Sequence, residues 1–122
     1  MTSLMKIYCA ALFFALSSTF TFAQNGVTFI QFEGNEGPGN GKHIVLLAAD
    51  DEYRSEESMP MMAKILSQTY GFKTTVLFAI EPESGNIVPN YPNNIPGLEH
   101  LASADLMIML LRFRELPDEQ MQ

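Results

Sequence analysis

Apolar residues in this chain are grouped into runs separated by polar and glycine- or proline-rich stretches. Three runs, at residues 43–49, 73–79 and 105–111, are rich in apolar side chains. Such continuous runs are typical of strands that are buried on both faces of a parallel sheet. A shorter run at residues 27–32 predicts a further short strand.

Helical periodicity replaces the continuous runs at residues 58–70. Apolar side chains recur there on one face of a helix, at Met59, Met62, Ala63, Leu66 and Tyr70. Ser58 is placed to cap the start, Pro60 falls in the first turn, and Gly71 ends the helix.

Turns and short helices fill the remainder. Four glycines and one proline at residues 33–41 predict a turn or linker, and residues 80–96 predict a long loop. Residues 97–103 predict a short helix, and residues 116–120 the start of another.

Strands and helices therefore alternate, which predicts an α/β fold with a parallel sheet and right-handed crossovers. We expect a flavodoxin-like three-layer fold with strand order 2-1-3, incomplete in this chain. Because strands buried on both faces need helices on both sides, we also expect the chain to be the N-terminal piece of a longer protein. The alternative is a small domain with a frayed end.

Composition and charge exclude some classes of partner. The chain has 122 residues, 47% of them hydrophobic and 17% charged, which is enough for one small domain with an apolar core. Its net charge is -7. Nucleic acids and anionic membranes are therefore not expected partners, since both bind cationic surfaces.

The N-terminus has the layout of a secretory signal peptide. Lys6 precedes the apolar run at residues 7–16, and the small residue Ala23 ends a more polar stretch. We expect cleavage after Ala23 and export to the periplasm or the cell exterior, with no membrane attachment afterwards. A retained membrane anchor is the alternative, but the run is shorter than the roughly 20 residues that span a bilayer. Cleavage would remove Cys9, the only cysteine.

Charged and polar side chains that are suited to ligand binding follow the first and third of the three long strands. In an open parallel sheet, ligands bind beyond the carboxyl ends of the strands, where the strand order reverses. We therefore predict a ligand site with carboxylates on one wall and guanidinium groups on the other. Its residues are Asp50, Asp51, Glu52, Tyr53, Arg54, Arg112 and Arg114.

Each of these residues also has a structural interpretation. Acidic residues before a helix favour its dipole, and Asp50 can simply cap a turn. Arg54 or Arg112 can likewise pair with a nearby carboxylate. Arg112 and Arg114 would point the same way if their segment were extended, which would allow a joint role in binding a carboxylate, a phosphate or a sugar.

Other motifs carry less information. Asp50, Asp51 and Glu52 have the oxygen ligands that Mg²⁺ or Ca²⁺ prefers, but the EF-hand spacing is absent, and we expect no metal and no cofactor. Lys42 is followed by His43 rather than Ser or Thr, so the glycines before it are not a phosphate loop. His43 and His100 lack metal-spaced partners, and we expect both to be structural. We assign no catalytic residue, and whether the protein is an enzyme stays open.

Two segments, residues 50–57 and 112–120, resemble the secreted bacterial ThuA-like (trehalose-utilisation-like) domains of the class I glutamine amidotransferase-like superfamily. The resemblance begins at about Gly37, and residues 77–80, 94–99 and 105–108 extend it. Together with the N-terminal pattern, it suggests three parts: a signal peptide (1–23), an N-terminal segment with a glycine-rich linker (24–41) and the N-terminal part of a ThuA-like domain (42–122).

The resemblance implies a flavodoxin-like domain with a role in carbohydrate utilisation, involving trehalose or related sugars. Class I amidotransferases use a cysteine after the next strand of the sheet, which would lie past Gln122. ThuA-like domains generally lack the full catalytic set. The functions compatible with the resemblance are an exported sugar-acting enzyme and a non-catalytic carbohydrate-binding or accessory domain. A truncated product without function is a third interpretation of the chain.

Overall fold

A four-stranded mixed sheet organises residues 28–122, the part of the chain that this computed structural model describes. The strands are β1 (Phe29–Phe32), β2 (His43–Ala49), β3 (Lys73–Phe78) and β4 (Leu106–Leu111). β2 lies between β3 and β4 and is parallel to both, so the three long apolar runs have the predicted order. The predicted signal peptide lies outside the described residues.

The prediction of a purely parallel sheet is wrong at one edge. β1 pairs with β3 in the antiparallel sense, with Phe29 opposite Leu77 and Phe32 opposite Thr74. β1 therefore ends on the side of the sheet where β2 begins. The glycine-rich segment connects them along that side, whereas a parallel arrangement would need a crossover of about a dozen residues or more.

The helix α1 (Ser55–Tyr70) begins earlier than the predicted start at Ser58. Its first turn is set by Ser55, whose buried hydroxyl is bonded to the main chain of Asp50. Ser58 is therefore not the cap, and Pro60 lies inside the helix rather than in its first turn. Pro60 has no N–H to donate, so the local pattern mimics a start that tertiary contacts override.

The end of α1 at Gly71 is confirmed. Gly71 has φ 81°, a left-handed conformation that suits glycine. Its N–H donates to the Ser67 carbonyl and the N–H of Phe72 donates to that of Leu66, as in a Schellman motif. The glycine-rich segment packs against this end of the helix, where the Gly39 N–H donates to the Tyr70 carbonyl at 2.8 Å.

The core has two halves, one on each face of the sheet. α1 covers one face, where Met59 and Ala63 pack against Leu46, Val76 and Phe78. On the opposite face the central strands meet partly buried side chains of later segments, namely Tyr91, Leu98, Leu101, Ala104, Leu111 and Leu116. β2 is buried along its whole length, as its uninterrupted apolar sequence predicts.

β4 departs from the predicted burial on both faces. Leu106 is 51% exposed and Met109 is 56% exposed, although β4 is as apolar as β2. The reason is position, since β4 is an edge strand and α1 packs over β2 and β3. Composition predicts that a strand is apolar, but the neighbouring elements decide which of its faces are covered.

The remaining predicted elements are present in shorter form. Residues 98–103 and 118–120 form 3₁₀-helices, Leu98–Ser103 and Asp118–Gln120, near the two predicted helical segments. The long loop after β3 folds back on itself through an isolated bridge between Ile80 and Ile87. None of the helices in residues 28–122 combines the length and the apolar character needed to span a membrane.

Candidate functional site at the carboxyl end of the sheet

The segment after β2 is a tight turn organised by Asp50. This side chain is only 4% exposed, and its Oδ1 accepts the N–H groups of Glu52 and Tyr53, each at 2.9 Å. The Asp50 N–H donates to the Ser55 hydroxyl at 2.9 Å, and that hydroxyl donates to the Asp50 carbonyl at 3.1 Å. Asp50 therefore shapes the turn from inside, while Glu52 and Tyr53 are displayed on its outside.

The segment after β4 turns sharply at Phe113. Phe113 has φ 54°, in the left-handed region that non-glycine residues rarely adopt. The segment is therefore not extended, and the premise for Arg112 and Arg114 pointing the same way is wrong. The two guanidinium groups instead reach different partners.

Arg112 connects the two segments. Its Nη1 forms an ion pair with Oε2 of Glu52, and its guanidinium carbon lies 4.8 Å from the centre of the Phe113 ring. With both contacts formed, the Arg112 side chain is still partly exposed. The Glu52–Arg112 pair brings the two segments together, and it is the contact that the structural interpretation of Arg112 predicts.

Arg114 points inward. Its Nε donates to the Ala49 carbonyl at 2.8 Å, and its Nη1 donates to the Tyr91 carbonyl at 2.6 Å. It thereby joins the end of β2, the long loop and the segment after β4. Two of its N–H groups donate to the main chain, so its observed role is to position these segments.

The other predicted residues lie on the surface of the same turn. Arg54 has φ 50° at the start of α1 and pairs with Glu57. Asp51 is exposed, and Tyr53 is 68% exposed. In the described part of the chain, no three His, Cys, Asp or Glu side chains come together in a way that would hold a metal ion.

Phe113 lies in the family-like segment between the two predicted arginines and contributes to this site, although it is not one of the seven predicted site residues. Its ring is 77% exposed and lies beside the Glu52–Arg112 pair. An aromatic residue between two arginines is a sequence signal for a binding surface. Its left-handed backbone has no such signal.

A second polar cluster occupies the opposite end of the sheet. The ring of buried His43 lies between two hydroxyls, with Nδ1 3.1 Å from Ser103 Oγ and Nε2 2.9 Å from Thr75 Oγ1. Asp105 accepts the main-chain N–H of His43 and the Nζ of Lys42, each at 2.9 Å. Since Asp105 bonds the His43 backbone rather than its ring, the cluster lacks the orienting carboxylate of a catalytic triad.

The charges of this cluster follow from its contacts. Burial lowers the pKa of His43, because the imidazolium form loses hydration. The pKa of Asp105 is lowered, first by the His43 N–H and then by Lys42. The pKa of Lys42 is raised by its hydrogen bond to Asp105.

A surface groove of about 680 Å³ lies away from the predicted site. It runs between the 3₁₀-helix Leu98–Ser103 and residues 119–122, and none of the seven predicted site residues lines it. The groove has no arginine or lysine in its lining. We therefore place the candidate site at the carboxyl end of the sheet because charged side chains of two segments meet there, and not because of the size of a cavity.

Comparison of the chain with known protein families, with curated proteins and with solved structures found no match.

Proposed function

We propose that residues 42–122 belong to a ThuA-like domain of flavodoxin-like architecture. Three parallel strands in the order β3-β2-β4 and a helix packed over β2 and β3 support this proposal. The antiparallel strand β1 is then an addition to the edge of that sheet. The segments on which the family resemblance rests, residues 50–57 and 112–120, follow neighbouring strands, as a shared site requires.

We further propose that the protein binds carbohydrate, trehalose or a related sugar, at the carboxyl end of its sheet, in the service of sugar utilisation. The observation that carries this proposal is the Glu52–Arg112 ion pair, which joins the loops after β2 and β4 at the end where open α/β sheets bind ligands. A carboxylate and a guanidinium side by side offer both acceptors and donors to neighbouring hydroxyls.

The proposed role includes export, with a signal peptide cleaved after Ala23. The mass of the protein purified from the exporting cell tests this part. We expect an N-terminus at Gln24. An N-terminus at Met1 on the exported protein would contradict the cleavage.

Calorimetric titration of the full-length protein with trehalose, maltose and glucose tests binding. Arg112→Ala should weaken the observed affinity by about tenfold or more, because it removes donors and leaves the Glu52 carboxylate without its partner. Lys42→Ala is the matched control, since it breaks an exposed ion pair at the opposite end of the sheet. Equal loss in both variants, or no binding to any of these sugars, would contradict the proposal.

A further inference from the structure

Two exposed aromatic residues are chain neighbours of the Glu52–Arg112 ion pair, and one of them, Phe113, lies beside Arg112. Tyr53 follows Glu52 in the chain and Phe113 follows Arg112, and both rings are more than two-thirds exposed. Arg112 lies near the Phe113 ring, 4.8 Å from its centre, while most of the ring stays open to solvent. Aromatic faces carry partial negative charge and attract the C–H groups of an apolar ligand face.

The cationic groups at this end of the sheet are all engaged. Arg54 pairs with Glu57, and Arg112 pairs with Glu52. Arg114 donates to two main-chain carbonyls. Within residues 28–122, Arg114 is thus the one guanidinium at this end of the sheet without a carboxylate partner, and it is turned inward to the main chain.

Carboxylates on the same segments are in excess. Asp51, Glu56 and Glu115 form no ion pair with any described residue. Oε2 of Glu56, in the first turn of α1, is buried and has no hydrogen-bond partner in the described part of the chain. Carboxylates in excess at this end repel anions, and the exposed ones, Asp51 and Glu115, accept hydrogen bonds from hydroxyls.

We infer that the site takes an uncharged sugar ring and rejects phosphorylated and acidic sugars. The ring lies against Phe113 and Tyr53, and its hydroxyls bond to Glu52 and Arg112. This inference rests on the proposed carbohydrate function and specifies the class of ligand. It follows because unpaired carboxylates outnumber unpaired guanidinium groups at this end, which makes an added negative charge unfavourable.

Separate titrations with a neutral sugar and with anionic sugars test the charge selectivity. The full-length protein is titrated with glucose, glucose 6-phosphate and glucuronate in low salt and at 0.15 M ionic strength. Both anions should bind at least about tenfold more weakly than glucose, with the difference shrinking as salt screens the carboxylates. Equal or tighter binding of an anion would overturn this inference alone, whereas failure of every sugar to bind would overturn the proposed function with it.

Variants separate the rings from the charges. Phe113→Ala and Tyr53→Ala should each weaken glucose binding by about fivefold to tenfold, and Phe113→Tyr should restore it. Tyr70→Ala is the matched control, an exposed aromatic at the far end of α1. Glu115→Gln, at an exposed carboxylate outside the seven predicted site residues, should strengthen glucose 6-phosphate binding more than it changes glucose binding. A contact between the sugar and the Phe113 ring is refuted if Phe113→Ala and Tyr70→Ala bind glucose equally well.

Discussion

The guanidinium of Arg114 closes the carboxyl end of β2 by donating its Nε proton to the Ala49 carbonyl at 2.8 Å. Its Nη1 donates to the Tyr91 carbonyl, so one side chain holds three segments of the chain together. The residue lies two positions after Arg112 yet has a different role. Arg112 faces the surface, and Arg114 fixes the backbone from which Arg112 and Phe113 project.

Arg114→Ala should destabilise the fold. The carbonyls of Ala49 and Tyr91 would lose their donors, and each unsatisfied acceptor costs about 1–3 kcal/mol where water cannot replace the donor. Urea unfolding followed by circular dichroism measures the change. Arg114→Lys should rescue only part of it, because an ammonium cannot reproduce the planar fork.

The exposed Lys42–Asp105 pair provides the control for Arg114. Lys42→Ala should change the free energy of unfolding little, because an exposed ion pair is screened by solvent. If Arg114→Ala is no more destabilising than Lys42→Ala, the two carbonyl bonds do not hold the site together.

Ser55→Ala should destabilise the start of α1 more than Ser58→Ala does. Ser55 is fully buried, and its hydroxyl both accepts from and donates to the main chain of Asp50. Removing it leaves two buried main-chain groups unpaired, at a cost of about 1–3 kcal/mol. Ser58 is exposed in the interior of the helix, so Ser58→Ala should be close to neutral.

Thermal and urea unfolding of these two serine variants decide where the helix begins. A loss of about 1 kcal/mol in Ser58→Ala, typical of a removed cap, with no loss in Ser55→Ala, would restore the start expected from the sequence pattern.

The apolar runs determine much of this fold, and the sequence predicts where each of the three long strands begins and ends. β2, β3 and β4 lie within one residue of the three runs that predicted them. Gly71 ends α1 as expected, because a left-handed residue after a helix is usually glycine. The antiparallel pairing of β1 was not predictable from its short sequence, because both senses of pairing suit the same residues.

The candidate site was predictable to the level of segments. Strand order alone brings residues 50–57 near residues 112–115, because both follow neighbouring parallel strands. It does not determine that Glu52 meets Arg112 or that Arg114 turns inward. The different directions of Arg112 and Arg114 accompany the left-handed backbone of Phe113 between them, which no local sequence signal predicts.

Gly34→Ala should be strongly destabilising, because a Cβ at Gly34 would lie 2.0 Å from the Gly71 carbonyl oxygen. That contact is between two backbone segments, so relief requires moving the glycine-rich segment away from the end of α1. We expect a loss of about 3 kcal/mol or more, at or beyond the upper end of ordinary overpacking. Differential scanning calorimetry should show a lower Tm.

A substitution in the same segment serves as the control for Gly34. Gly41 has φ 79°, and a Cβ at this position would meet no atom within 4 Å, so Gly41→Asn tests backbone conformation without a clash. Asparagine tolerates the left-handed region, and Gly41→Asn should cost less than about 1 kcal/mol. Equal Tm values for Gly34→Ala and the parent protein would show that the segment does not pack against α1.

Stability should fall as the pH drops below about 6.5, because His43 is buried in its neutral form. The Ser103 hydroxyl donates to the His100 carbonyl, which leaves it to accept from Nδ1, so Nε2 accepts from the Thr75 hydroxyl. Protonating Nε2 removes that acceptor inside the core. Burial lowers the folded-state pKa of His43 below its ordinary value of 6.5.

The unfolded chain therefore binds the proton first on acidification. The contribution of His43 is complete above about pH 6.5 and is lost as the pH falls from there towards the folded-state pKa, by at most about 1.4 kcal/mol per pH unit. Asp105 does not interfere in this range, because its pKa is lowered from 3.8 and its contribution is lost only at more acidic pH. Urea unfolding at pH 7.5, 6.5 and 5.5 measures the slope. His43→Gln should flatten it and His100→Gln should not; the same slope in all three proteins would exclude His43 as its source.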